Sequence, residues 1–397
     1  LKKVKVRFVL RLLIVLFYSV RDAGMPRKSN IADRKHSFRP NDDDSQRYEF
    51  VDALRLVAAS SVLIQHIFEK SRYHILNSIT NLSPGVFGVV LFFLVSGLVM
   101  PISVKGGLDI ANFSIRRVFR IYPALIAAFI LWAIVQVVAR DPRSAFWHAT
   151  LSDWLANLLL INDFFGRPAF LGVTWTLILE FAWYALFAFG WRKFGSRSGS
   201  VLTSTAALAS AGSIILSLAV GHRMPMGRIG MIYAATIGFQ SFRWLSREIR
   251  TSTFVRDVFV FLSIMAVGNA VAFGHFHHPT ITFAQSFWPW LFAPALFLTI
   301  LHPALRTTRI FENKGVARFG AISLSIYLLH PIAMAICLRI APEFVNIVAT
   351  LGLTIAMAWA SFRWIEQPGI AFGRRVGARL QSRSAEEALA LERSRVQ

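Results

Sequence analysis

The sequence predicts an all-α fold: a polytopic integral membrane helical bundle of about ten transmembrane helices, with both termini cytoplasmic. Three observations predict it. Apolar residues make up 55% of the 397 and charged residues only 16%, and the mean hydropathy is +0.52. The apolar residues gather into repeated stretches close to the ~20 residues that a helix needs to cross a hydrocarbon core of about 30 Å. Lys and Arg fall between these stretches in strongly unequal numbers on alternate sides. Backbone polar groups cannot go unpaired in lipid, so the stretches must be helices. The period-two alternation of a membrane β-barrel is absent.

The spans are expected at 50–68, 84–101, 121–139, 173–191, 201–220, 228–243, 255–273, 283–301, 319–340 and 344–364. Trp154 to Leu160 is apolar but too short to cross, and is assigned to a loop or to the interface. Residues 1–46 are read as an N-terminal tail, with Met25 as an alternative start; the stretch Phe8–Val20 is short and interrupted by Arg11. Residues 47–370 form the membrane domain. Residues 371–397 form a basic cytoplasmic tail, and the chain after Glu366 is expected to be partly helical.

One side of the membrane collects the arginines and lysines from Arg21 to Arg47, Lys105 with Arg116, Arg117 and Arg120, and the Arg192/Lys193/Arg197 group. It also takes Arg243 to Arg256, Arg306 to Arg318, and those from Arg363 on. The other side holds only Lys70, Arg72, Arg140, Arg143, Arg167, Arg223, Arg228 and Arg339. Positive charge stays inside, so both chain ends are assigned to the cytoplasm. The net charge of +22 is thereby explained by topology and by contact with anionic lipid rather than by nucleic acid, for which no recognition motif is present. Cys337 is the only cysteine and lies in an apolar run, which excludes an intrachain disulfide.

Ionisable groups in the hydrocarbon are costly and are therefore functional candidates. In the first span Asp52 and Arg55 are three residues apart on one face, and His66 follows Arg55 by eleven residues, about three turns and ~16 Å further along the axis. The plain alternative is an Asp–Arg pair that anchors the helix, with an interfacial histidine. The fourth span carries Glu180 below its outer end, Tyr184 one turn on, and interfacial Trp175. Arg116, Arg117 and Arg120 precede the third span. Each alone reads as topology charge, but Arg117 and Arg120 lie one turn apart beside an expected helix N-terminus, where guanidinium forks and free N–H groups suit phosphate.

In the ninth span Tyr327 and His330 share a face, and Pro331 opens the backbone. Gly85, Gly88, Ser96 and Gly97 suit close helix packing in the second span. Ser96 has no neighbouring base or elbow that would make it a nucleophile. His275, His277 and His278 match no strong metal spacing, and no metal is expected.

Together these pieces resemble the acyltransferase-3 family of bacterial membrane O-acyltransferases, over about residues 47–370. The resemblance rests on Arg55 and His66 separated by ten residues, on FLVSG, on RRVFRIYP with Arg117 and Arg120, and on TWTLILEFAWY with Trp175, Glu180 and Tyr184. SLSIYLLHP and the closing FRWIEQP complete it. One departure is the absence of a second acidic residue after Glu180.

The resemblance implies an acyl-CoA donor, usually acetyl-CoA, bound from the cytoplasm. It also implies a cell-surface glycan or lipid-linked sugar as acceptor, and residence in the bacterial inner membrane. His66 is then expected to activate the acceptor hydroxyl and Glu180 to orient His66. Arg55, Arg117 and Arg120 are expected to hold the donor, and Asp52 to hold Arg55. Tyr327 and His330 would line the cavity. The competing reading is a transporter or flippase with a buried His/Glu/Arg relay; the internal repeats and matched broken helices common in transporters are not visible.

Overall fold

The computed structural model describes residues 49–70, 79–104, 107–140, 144–276, 278, 281–302, 305, 313–340 and 343–396. The expected N-terminal tail, Met25, Arg72, Lys105, Arg143, His277, Arg306 and Arg309 lie outside the described residues. Helix accounts for 86% of the structure, and no strand occurs among the described residues.

The helices are α1 (Glu49–Glu69), α2 (Pro84–Val99), α3 (Ile110–Ala139), the short α4 (Ala145–His148) and α5 (Leu151–Leu158), α6 (Trp175–Phe194) and α7 (Ser198–Val220). They continue with α8 (Met226–Leu245), α9 (Thr251–Asn269), α10 (Phe283–Ile300), α11 (Lys314–Ala321), α12 (Ser323–Ile340), α13 (Glu343–Ser361) and α14 (Gln367–Val396). Among the described residues seven helical stretches are long and apolar enough to cross a membrane, or eight if the pair α11 and α12, bent by 64°, is one span.

One of the seven, Trp175–Val220, is 46 residues long. That is about 70 Å of helix, more than twice a hydrocarbon core. Gly195, at φ +57°, breaks it between α6 and α7. Helix α8, with 20 residues, is not among the seven; Arg228, Gln240 and Arg243 lower its hydropathy. The expected partly helical tail is α14, helical over 30 residues.

One expectation about α3 is corrected. The helix starts at Ile110, capped by Asp109, whose carboxylate accepts from Asn112 N at 3.2 Å. Arg117 and Arg120 therefore lie two to three turns inside the helix, and free N–H groups are not available beside them. The span expected at 121–139 is the apolar part of this longer helix, and Pro123 sits within it.

The chain forms two compact units. The first takes Leu1–Val62, Ser78–Ile102 and Lys193–Ala321. Its centre is α2, where Val90, Leu91, Phe93, Leu94 and Val95 are completely enclosed. α2 crosses α8 at backbone contact: a Cβ on Gly97 would strike the carbonyl of Ala235, and one on Gly238 would strike that of Leu94. Gly88 similarly faces the carbonyl of Ala58 on α1. The small residues expected to pack closely thus do so, and each admits a backbone that a larger residue would hold away.

A buried polar chain ties α7, α8 and α9. Arg243 donates to Ser200 Oγ (2.6 Å) and Gln240 Oε1 (2.9 Å), Gln240 donates to Asp257 Oδ2 (2.6 Å), and Arg256 donates to Asp257 Oδ1 (2.8 Å). In this unit Arg55 pairs with Asp52 at 3.2 Å, as their spacing predicts.

The second unit takes Leu63–Asn77, Ser103–Arg192 and Ile322–Gln397. In it α12 packs on α3 and α13, and α14 packs on α3. α14 presents Gly369, Gly373 and Gly377, one per turn, against Pro123, Phe119 and Asn112 of α3. Between α13 and α14 a π turn, Phe362–Glu366, carries the buried Glu366, which accepts from Ser325 Oγ at 3.0 Å.

The connection from α5 to α6 is organised by Asn157, only 1% exposed. Its amide donates to Asp153 O and Pro168 O, both at 2.9 Å, and its carbonyl accepts from Phe170 N at 2.9 Å. Phe170 then stacks on Trp132 of α3, with centroids 4.7 Å apart. α5 has eight residues and cannot cross a bilayer; its Leu151 and Leu155 face outward.

Candidate functional site

The second unit brings together residues that the sequence could only nominate separately. α1 ends in it, carrying Gln65, His66 and Glu69 on one face. His66 Nδ1 lies 3.3 Å from Glu69 Oε2, and the Gln65 amide donates to the same carboxylate. An ionised carboxylate only accepts, so His66 donates from Nδ1–H, and the neutral ring then offers its Nε2 lone pair for chemistry. The His66 side chain is 38% exposed at the surface of the protein.

The face of the His66 ring lies on the ring of His330, with centroids 5.3 Å apart and planes at 22°. His330 is completely buried in α12. Its Nδ1 donates to the carbonyl of Ile326 at 3.2 Å. Pro331, the next residue, has no N–H to give the carbonyl of Tyr327, and the His330 ring interacts with that carbonyl as well. Donation to carbonyls puts the proton of His330 on Nδ1. Its Nε2 has no hydrogen-bond partner in the structure. A buried acceptor left so costs about 1–3 kcal/mol.

One turn back on α12, the Tyr327 ring is 6.1 Å from that of His330. Its hydroxyl donates to Val173 O (2.9 Å) and meets Thr176 Oγ1 (2.8 Å), which fastens α12 to the first turn of α6. Trp175, half-buried, opens that helix. Glu180, 6% exposed, follows in the second turn and accepts from the hydroxyl of Tyr184. The spacing of Glu180 and Tyr184 on one helix face predicted that contact.

The three arginines of α3 separate. Arg116 is exposed and donates to Asn112 Oδ1 at 3.1 Å. Arg117 turns inward: its guanidinium lies 5.0 Å from the ring centre of Phe113 and 5.4 Å from that of Tyr184, and its charge interacts with Glu180 and Arg120. Desolvated cation–π contacts of this kind contribute about 2 kcal/mol. Arg117 is therefore not a plain surface topology charge. Arg120 is half-buried one turn further on.

Two parts of the expected arrangement are redrawn. The carboxylate at hydrogen-bonding distance from His66 Nδ1 is Glu69, whereas Glu180 receives the Tyr184 hydroxyl and balances Arg117. His330, expected only to line a cavity, is in direct ring contact with His66. Glu69, Thr176 and Phe113 were not singled out in the sequence. Glu69 had a readable signal, three residues after His66; the other two depend on helix packing. Among the described residues no group of three or more His, Cys, Asp or Glu is placed to hold a metal ion. Asp52 and Arg55 lie in the other unit.

An acyltransferase-domain family model matches residues 48–363. The chain is 21% identical to the peptidoglycan O-acetyltransferase OatA of Listeria monocytogenes over 351 residues, which cover 80% of this chain and 55% of that protein. It is 27% identical to the acyltransferase MdmB of Streptomyces mycarofaciens over 159 residues, covering 37% and 40% respectively. The chain thus spans about half the length of these curated relatives. No solved structure matches it. With the family's model covering most of the chain, from the helix of His66 to the π turn after α13, the protein is a multi-pass membrane member of the acyltransferase-3 family.

Proposed function

We propose that the protein is a membrane O-acyltransferase, specifically an O-acetyltransferase, that moves an acetyl group from acetyl-CoA to a hydroxyl of a cell-surface carbohydrate. The acceptor would be an exopolysaccharide, an O-antigen or a lipid-linked sugar. The observation that carries the reading is the pairing of a half-exposed His66, its Nε2 free, with a buried ring partner, in a unit that also holds the inward-turned Arg117. The names of the two relatives support the acetyl group and the hydroxyl acceptor.

In this mechanism Arg117 and Arg120 bind the phosphates of the donor from the cytoplasmic side. His66 Nε2 takes the proton of the acceptor hydroxyl as its oxygen attacks the thioester carbonyl carbon. The C–O bond forms, the C–S bond breaks, and the thiolate leaves with the proton returned by His66. Glu180 supports this as the counter-charge that holds Arg117 and Tyr184 at the donor. Trp175 and Tyr327 brace the outer end of α6.

The proposed topology has ten crossings in the bacterial inner membrane, with both termini cytoplasmic. Ten follows when Trp175–Val220 counts as two spans, α8 as one, and α11 with α12 as one. The experiment is transfer of radiolabelled acetyl from acetyl-CoA to cell-envelope glycan by the purified protein in lipid nanodiscs. Labelled glycan with wild type and none with His66→Ala is expected. Absence of any acetyl-CoA turnover by folded wild type sinks the reading.

A further inference from the structure

His66 is held on two sides by groups that lie outside the proposed donor site. Glu69 accepts a hydrogen bond from its Nδ1–H at 3.3 Å, and the face of its ring rests on His330 at 5.3 Å. Neither contact alone would immobilise an imidazole that is 38% exposed. An i,i+3 pair at a helix end leaves the ring free to turn about its χ angles, and a stack leaves it free to spin in its plane. Together they remove both freedoms.

The platform is itself rigid. His330 is completely buried, and its Nδ1–H is tied to the carbonyl of Ile326. Pro331, which fixes the local backbone, withholds an N–H from the carbonyl of Tyr327 beside it. Tyr327, one turn back on the same face, is pinned to α6 through Val173 and Thr176. The His-Pro step in α12 thus sets a buried, hydrogen-bonded ring under His66.

We propose that Glu69 and His330 are the positioning residues of His66, and that together they lock it as the Nδ1–H tautomer with Nε2 presented to the acceptor hydroxyl. This rests on the acyl-transfer reading for its chemistry but not for its geometry. Histidine acts as a base through whichever nitrogen lacks the proton, so fixing the tautomer decides whether the exposed lone pair is the reactive one. Glu69 supplies the tautomer and His330 the ring plane.

Two measurements test the clamp. Selective ¹⁵N labelling of histidine, with His66 assigned from the spectrum of His66→Ala, reads the tautomer directly in wild type and in Glu69→Gln. A single Nδ1–H form in wild type and a mixture in Glu69→Gln is expected; an unchanged His66 signal overturns the proposal, whether or not the protein turns over acetyl-CoA.

In the transfer assay, Glu69→Gln and His330→Ala are each expected to lower kcat about 10- to 100-fold. The Kd for acetyl-CoA should stay unchanged, and His330→Phe, which keeps a flat ring under His66, should recover most of the loss. Neither Glu69→Gln nor His330→Ala should lower the melting temperature or the yield of monodisperse protein. A loss of kcat that comes only with such a loss of folded protein means that the two residues serve the fold and not His66. No turnover in wild type counts against the transfer reading, and the labelling result then decides the clamp by itself.

Discussion

The imidazoles of His66 and His330 lie face to face, 5.3 Å apart, one at the exposed end of α1 and the other fully buried in α12. Two histidines from distant parts of the chain thus form one feature, supported by Glu69 on one flank and Tyr327 on the other. Five expectations follow from this and from the packing around it, the first being the loss of transfer in His66→Ala already given.

Arg117 and Arg120 should separate by function from Arg116. Removing a charge-assisted hydrogen bond to phosphate costs about 1.5–3 kcal/mol, or roughly 10- to 100-fold in Kd. Arg117→Ala with Arg120→Ala should weaken acetyl-CoA binding, measured by calorimetry, by at least that factor. Arg116→Ala should leave it unchanged. Arg117→Lys should not restore binding, because an ammonium lacks the planar fork that lies near both the Phe113 and Tyr184 rings and grips phosphate with two hydrogen bonds. Equal affinity in the double variant would return both arginines to the role of topology charges.

Tyr327→Phe removes the hydroxyl that donates to Val173 O and meets Thr176, leaving only the Thr176 bond to Val173 O at 3.1 Å. The cost should be about 1–3 kcal/mol, seen as a lower melting temperature in detergent. Thr176→Val combined with Tyr327→Phe should cost less than the sum of the two, since both lose the same bond. Strict additivity would show that the bond contributes nothing.

Gly238→Leu and Gly97→Leu each drive a side chain into a facing carbonyl between α2 and α8. Neither backbone can give way without parting the two helices. Both variants should lose most of the monodisperse protein in size-exclusion chromatography. Gly212→Leu on α7, where a Cβ meets nothing within 4 Å, should behave as wild type.

The connection before α6 should loosen in acid. Asp153 lies outside the spans, and the Thr150 hydroxyl, then the Thr150 N–H, then Arg167 at 3.1 Å hold its carboxyl below the usual range. A folded-state pKa below the unfolded value gives stability that is present above the unfolded pKa of about 3.9 and is lost as pH falls through the folded value. Hydrogen exchange of the Leu151–Leu158 amides, corrected for intrinsic rates, should therefore quicken below about pH 4. Asp153→Asn should already exchange faster at pH 7 and show no such acid step.

Contacts within one helix were legible because three or four residues bring side chains to the same face whatever surrounds them. Asp52 with Arg55, Glu180 with Tyr184 and Tyr327 with His330 are of this kind, and Glu69 with His66 was available on the same grounds. The start of α3 was not legible because the apolar stretch begins near residue 121, whereas the cap, Asp109, lies twelve residues earlier ahead of a polar, arginine-rich segment. In α14 the glycines at every fourth position were a packing signal inside a segment that read as a basic tail.

Hydrophobicity alone determined that the chain is a helical membrane protein, because lipid leaves the backbone no other way to pair its polar groups. Residue types and their spacing also nominated His66, Glu180, Arg117 and His330. Which carboxylate meets His66, which ring supports it, and which of the three arginines turns inward were decided only by the tertiary structure. The Thr176–Tyr327 bond joins residues 151 apart, and such contacts depend on which helix faces lie together. Helix periodicity sets the side chains that share a face, but the packing of one helix on another sets what that face meets.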